Sequence, residues 1–176
     1  MNTRVSARTR RNGGAMALVL LVTAATATVA ADRTGVDVKP ERIEPNVRWG
    51  VMPEVALKIR TGFAVAVSRA TNGGACTALF HDLGADPVEL LGRSLYYPAA
   101  SNGDNPACTN GAMAFTSVGT PVTWVCDRFR RLSPEEAALA LLHEALHFAG
   151  LPEQPHDPNA MTSSEINDMV KDRCGH

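Results

Sequence analysis

At 176 residues the chain suits one domain of ordinary size, and its 17 basic and 18 acidic residues leave a formal net charge of −1. Four of those arginines and no acid fall within residues 1–31, so 13 basic residues face 18 acidic ones in the rest, a net of −5. Nucleic-acid binding is excluded on that balance, because phosphate backbones demand clustered Lys and Arg, and the short Arg128, Arg130, Arg131 group reads as a solvated surface.

Arg4, Arg8, Arg10 and Arg11 form a basic head, Ala15 to Ala30 an apolar run, and Val29-Ala30-Ala31 a small-residue exit before Asp32. This is the layout of a cleavable secretory signal over residues 1–31. The apolar run is shorter than the ~20 residues of a membrane span and is rich in Ala and Thr. The mature chain is therefore expected to be secreted or periplasmic, monomeric and without stable membrane association. All four cysteines lie beyond the signal, at 76, 108, 126 and 174, and an even count in an exported chain favours two disulfides. No CxxC pair is present, which argues against a cysteine zinc site.

Residues 32–48 mix charges with two prolines and read as a linker or leader, so the folded domain is expected over 49–176. Val55, Ile59, Phe63 and Val67 recur every four residues and predict a helix over Pro53–Arg69, broken by Thr71-Asn72-Gly73-Gly74. A second helix is expected from Ala75 to about Asp82, and a third after Asp86-Pro87, an N-cap residue followed by proline at N1. YYPAASNGDNPACTNG, residues 96–111, reads as a loop. AMAFT and VTWVC, separated by SVGTP, read as a β-hairpin. Cys108 and Cys126 flank that hairpin and are paired on this ground, which leaves Cys76 with Cys174.

Ser133-Pro134-Glu135-Glu136 starts a helix with a capping box and proline at N1, and Gly150 stands where a left-handed helix end belongs. A last helix runs from Ser163 or Ser164 towards Cys174, with Glu165 answering one of those serines as the acid of its cap. The sum is an α+β domain in which the hairpin packs against the helix that carries HEALH, with further helices around it.

His143 and His147, four apart on that helix, project from one face and can share a zinc ion. Glu144, next to the first, projects beside such an ion, where a carboxylate can take a proton from activated water and return it to a leaving amine. Two histidines and a glutamate also occur by chance on surface helices. Here Leu139, Leu141, Leu142, Ala145, Leu146 and Phe148 make the helix apolar nearly all round, and titratable groups on such a helix are costly unless paired or metal-bound.

HEALHFAG resembles the HExxHxxG core of zincin metallopeptidases in the form typical of metzincins. The resemblance implies a zincin-like domain, Zn2+ as cofactor, a sharp turn at Gly150, and a third ligand three residues later, where this chain has Glu153 in place of the usual His. It also implies a methionine turn beneath the metal, for which Pro158 to Ser163 with Met161 is the candidate, although it follows the motif unusually closely. Residues 122–175 are similar as well to a group of uncharacterised exported bacterial proteins that pair an HEALH-type helix with GLxE and a terminal Cys. His156, three residues past Glu153, is the rival third ligand, with Asp157 as a possible orienting partner, and both Glu153 and His156 stay open as ligands.

Among weaker candidates, Tyr96 or Tyr97 could lend a phenol to the reaction, while His81 reads as a surface or capping residue and His176 as part of a disordered terminus. The expected function is hydrolysis of peptide bonds in a protein or peptide substrate, with Glu144 as general base and zinc on His143, His147 and Glu153 or His156. Two rivals stand beside it: a non-catalytic zinc module, which four protein ligands would favour, and a zinc hydrolase acting on a non-protein amide such as that of the cell wall.

Overall fold

A computed structural model describes residues 43–72, 74–99 and 105–176. The expected signal and the leader residues 32–42 lie outside them. Helix α1 (Pro53–Thr71) opens with proline at its N-terminus and buries Val55, Ile59, Phe63, Ala66 and Ala70 along one stripe. That stripe lies on α5 (Pro134–Phe148), and the two backbones nearly touch: a Cβ added at Gly62 would stand 2.5 Å from the Ala137 Cβ and 3.0 Å from its carbonyl carbon. Only glycine allows this approach, which fixes α5 as the central helix of the core.

Helices α2 (Ala75–His81) and α3 (Pro87–Arg93) follow as expected, α3 capped by the Asp86 side chain, which accepts from the Glu89 N–H at 2.8 Å. Their buried residues, among them Phe80 and Leu91, close the core on the side of α1.

The sheet is where the sequence reading needs correction. The expected loop beginning at Tyr96 starts instead with an inner strand, β2 (Leu95–Pro98). It pairs in parallel with β1 (Asn46–Val47) on one side and with β4 (Val122–Val125) on the other. The leader assigned to 32–48 therefore ends earlier, since Asn46 and Val47 form β1 and the Arg48 N–H donates to Tyr96 O at 2.9 Å. Neither strand could be seen locally: each is short, and a parallel partner comes from distant sequence with no connecting turn to announce it. A further short helix, α4 (Pro106–Thr109), also lies inside the expected loop, with Asn105 as its cap.

The hairpin stands as expected. β3 (Ala114–Thr116) runs antiparallel to β4 with Phe115 opposite Trp124, and it closes the order β1-β2-β4-β3 as an edge strand. Alternate residues Tyr96, Ala114, Thr123 and Val125 point to the helices, and Tyr97, Phe115 and Trp124 to the other face. A 3-10 turn at Asp127–Arg131 carries the three arginines and leads into α5. With six helices and a mixed sheet of four strands among the described residues, the domain is α+β.

Both disulfides have the expected connectivity. Cys76–Cys174 ties α2 to the end of α6 (Ser163–Cys174), and Cys108–Cys126 ties α4 to the end of β4. The cap of α6 is not Ser163 or Ser164 but Thr162, whose hydroxyl accepts from the Glu165 N–H while Glu165 accepts from the Thr162 N–H at 2.8 Å. A capping box joins residues three apart, so Glu165 selects Thr162.

Candidate metal centre

The capping box of α5 sets where HEALH falls: Ser133 N–H donates to Glu136 at 2.8 Å, and the helix runs without interruption to Phe148. His143, Glu144 and His147 lie on its third and fourth turns, 6%, 6% and 3% exposed. The helix is held at this end by the hairpin turn, whose Gly119 N–H donates to the His147 carbonyl at 2.9 Å. Beyond it Gly150, at φ 107°, turns the chain in a conformation that side chains resist, and Leu151 N–H closes on Leu146 O at 3.0 Å.

That turn delivers Glu153. Its backbone bridges to Met161, with the Gln154 N–H donating to Met161 O at 3.0 Å and the Gln154 amide to Ala160 O at 2.8 Å. Met161 thus holds the Glu153 segment through its backbone while its side chain packs against the core. The loop 153–161 is closed on itself, and Glu153 stands at its base with an oxygen 3.1 Å from His147 Nε2.

The ligating atoms of His143, His147 and Glu153 lie within 4.8 Å of one another. The proton positions follow from the outer nitrogens. His147 Nδ1 is 2.8 Å from the Leu151 carbonyl, which only accepts, so the proton sits on Nδ1. His143 Nδ1 is 2.9 Å from Asn167 Oδ1 on α6, which assigns its proton in the same way. Both Nε2 atoms then present lone pairs, 3.0 Å apart, with the Glu153 carboxylate beside them. Three acceptors facing one another repel unless a cation lies between them, and two imidazoles with a carboxylate match the donor set of zinc. His143 is pushed below the usual histidine range, first by burial and then by His147, which favours the neutral, ligating form.

Glu144 faces the same space. Its carboxyl is pushed up to about 8, first by burial, with the Glu153 charge adding and a hydrogen bond from Thr116 opposing. Its Oε2 has no partner among the described residues, a costly state for a buried carboxylate. Thr116 in turn shares a hydrogen bond of 2.8 Å with Thr123 on β4.

A cleft of about 980 Å³ opens over these groups. One wall is β3 with the residues on either side of it, from Met113 to Val118; the other is Pro152 to Asp157, with Asn167 of α6. Of the expected residues, the structure brings His143, His147, Glu153 and Glu144 together. His156 lines the cleft, is exposed, and is not among the clustered ligand atoms; the Asp157 carboxylate accepts from the Asn159 N–H at 2.9 Å. Neither tyrosine lines the cleft. Tyr96 is buried in the core, its hydroxyl pushed far up by burial, and Tyr97 packs against Trp124 with Arg48 5.9 Å above its ring.

Asn167 and Thr116 were not visible as site residues in the sequence. Asn167 is separated from His143 by 24 residues, and Thr116 reads only as a strand residue, so the signal for each is tertiary. No protein-family model matches the chain, and no curated protein and no solved structure is significantly similar to it.

Proposed function

We propose that the chain is an exported zinc-dependent peptidase. The observation that carries this reading is the convergence, in an open cleft, of two imidazole lone pairs and the Glu153 carboxylate beside buried Glu144, whose Oε2 has no partner among the described residues. Zinc held by His143, His147 and Glu153 would polarise a substrate carbonyl and make water acidic enough to attack it. Glu144 would take the proton from that water and give it to the departing amine, a role that suits a buried carboxyl facing the same cleft as the ligand cluster. Asn167 and the Leu151 carbonyl would orient the two imidazoles.

A peptide substrate is supported by β3. Among the described residues it ends the sheet, and its outer backbone edge could pair with an extended chain along the cleft. The closed zinc module is favoured less, because three ligands cluster and His156 is not among them. Export is supported by the two disulfides, and among the described residues no helix is long and apolar enough to cross a membrane.

The test is zinc content together with cleavage of an unfolded protein substrate by the zinc-loaded wild type and Glu144→Gln. We expect one zinc in each and a rate loss of roughly 10²–10⁴-fold in the variant. A wild type that takes up no zinc removes the reading. One that holds zinc and releases amines only from cell-wall fragments moves the activity to a non-protein amide.

A further inference from the structure

The loop that carries Glu153 brings another imidazole to the cleft. The Asp157 N–H bonds back to the Glu153 carbonyl at 3.3 Å, which closes a tight turn, and Glu153 and His156 both line the cleft with Glu144. His156 is exposed, three residues beyond Glu153, and outside the ligand cluster.

Several polar side chains of the cleft are engaged, while Asn110, Ser117 and Ser163 line it as neutral groups. The Gln154 amide donates to Ala160 O, Asn167 holds His143, Thr116 bonds Thr123, and Asp157 caps the Asn159 N–H. Among the described residues, no Lys, Arg or Tyr lines the cleft. Hydrolysis of an amide places negative charge on the former carbonyl oxygen, and a donor aimed at that oxygen is a large contributor to rate. With His143 and His147 turned towards Glu153, His156 is, among the described residues, the one imidazole lining the cleft outside the ligand cluster, and its ring N–H can donate a hydrogen bond.

We infer that His156 is a catalytic residue, whose ring N–H holds the substrate oxygen as negative charge develops on it. The inference rests on the peptidase reading above. In the step it serves, the water oxygen bonds to the carbonyl carbon, the π pair moves to the oxygen, and the water proton passes to Glu144. The oxygen's pair then re-forms the carbonyl as the C–N bond breaks, the C–N pair takes the proton from Glu144, and the amine leaves the carboxyl product behind it. His156 donates a hydrogen bond and transfers no proton.

The experiment compares zinc-loaded wild type, His156→Ala and His156→Gln by elemental analysis, by kcat and KM on a peptide, and by the Kd of methylphosphonate, a tetrahedral anion. All three should hold zinc equally. His156→Ala should lose roughly 10²-fold in kcat with little change in KM. Its affinity for methylphosphonate should fall about tenfold or more, with His156→Gln, which keeps an N–H donor, in between. Loss of zinc from His156→Ala would make His156 a ligand and overturn the inference, as would unchanged kcat and anion affinity. A zinc-loaded wild type that cleaves no peptide sinks the peptidase reading alone. The anion comparison then decides His156: weaker binding in His156→Ala sustains it as the oxygen-holding group, and equal binding overturns it.

Discussion

Replacing Glu153 by alanine should have opposite consequences with and without metal. The Glu153 oxygen lies 3.1 Å from His147 Nε2, whose proton is on the far nitrogen, so with no cation between them two acceptors would face each other. Removing the carboxylate relieves that repulsion, and near pH 8 the metal-free variant should be at least as stable as the metal-free wild type. With zinc the order reverses. At zinc a hundredfold above Kd, binding to the native state alone adds about 2.7 kcal/mol to the wild type. For a folded part of this size that corresponds to roughly 8–14 °C in Tm. Losing one of three ligands should weaken binding at least ~10²-fold, more than the loss of an orienting partner, and so remove most of that gain at the same zinc concentration. The assay is thermal unfolding of both proteins after exhaustive chelation and after zinc is restored, with zinc content measured in parallel. A variant that is much less stable than wild type when both are metal-free, yet gains the same increment from zinc, would refute the placement of Glu153 in the cluster.

Two further outcomes follow from particular contacts. Gly62→Ala should cost about 1–3 kcal/mol in urea unfolding, because its Cβ would stand 2.5 Å from that of Ala137, and zinc stoichiometry in the folded variant should not change. Asn167→Leu removes the acceptor that holds the His143 Nδ1 proton, 2.9 Å away, and should weaken zinc binding by roughly 10–100-fold by competition titration; Asn167→Asp, which keeps an acceptor there, should recover the affinity.

The helices were legible because their signals are local. Ser133 and Glu136 are three residues apart, Asp86 and Pro87 are adjacent, and the stripe through Val55, Ile59 and Phe63 repeats within a few turns. The hairpin was legible because its strands lie on either side of one short turn. The parallel half of the sheet was not. β1 and β2 are separated by three helices, and a four-residue strand ending in Pro98 offers too little alternation to stand out from the loop that follows. The miscounted cap of α6 has a different origin, since Thr162, Ser163 and Ser164 all suit the position and only the spacing to Glu165 separates them.

The site divides along the same line. His143, Glu144 and His147 share one helix, so their relation follows from 3.6 residues per turn and could be read directly. The third donor could not be chosen in that way, because position after Gly150 permits Glu153 and imidazole chemistry favours His156. What separates them is a pairing eight residues long. Met161 accepts from the Gln154 N–H and folds the loop back on itself, which places Glu153 at its base against His147 and leaves His156 beyond the ligand cluster. The backbone contact between Glu153 and Met161 has no side-chain signature, so the sequence could favour Glu153 only by its position after Gly150, with His156 close behind.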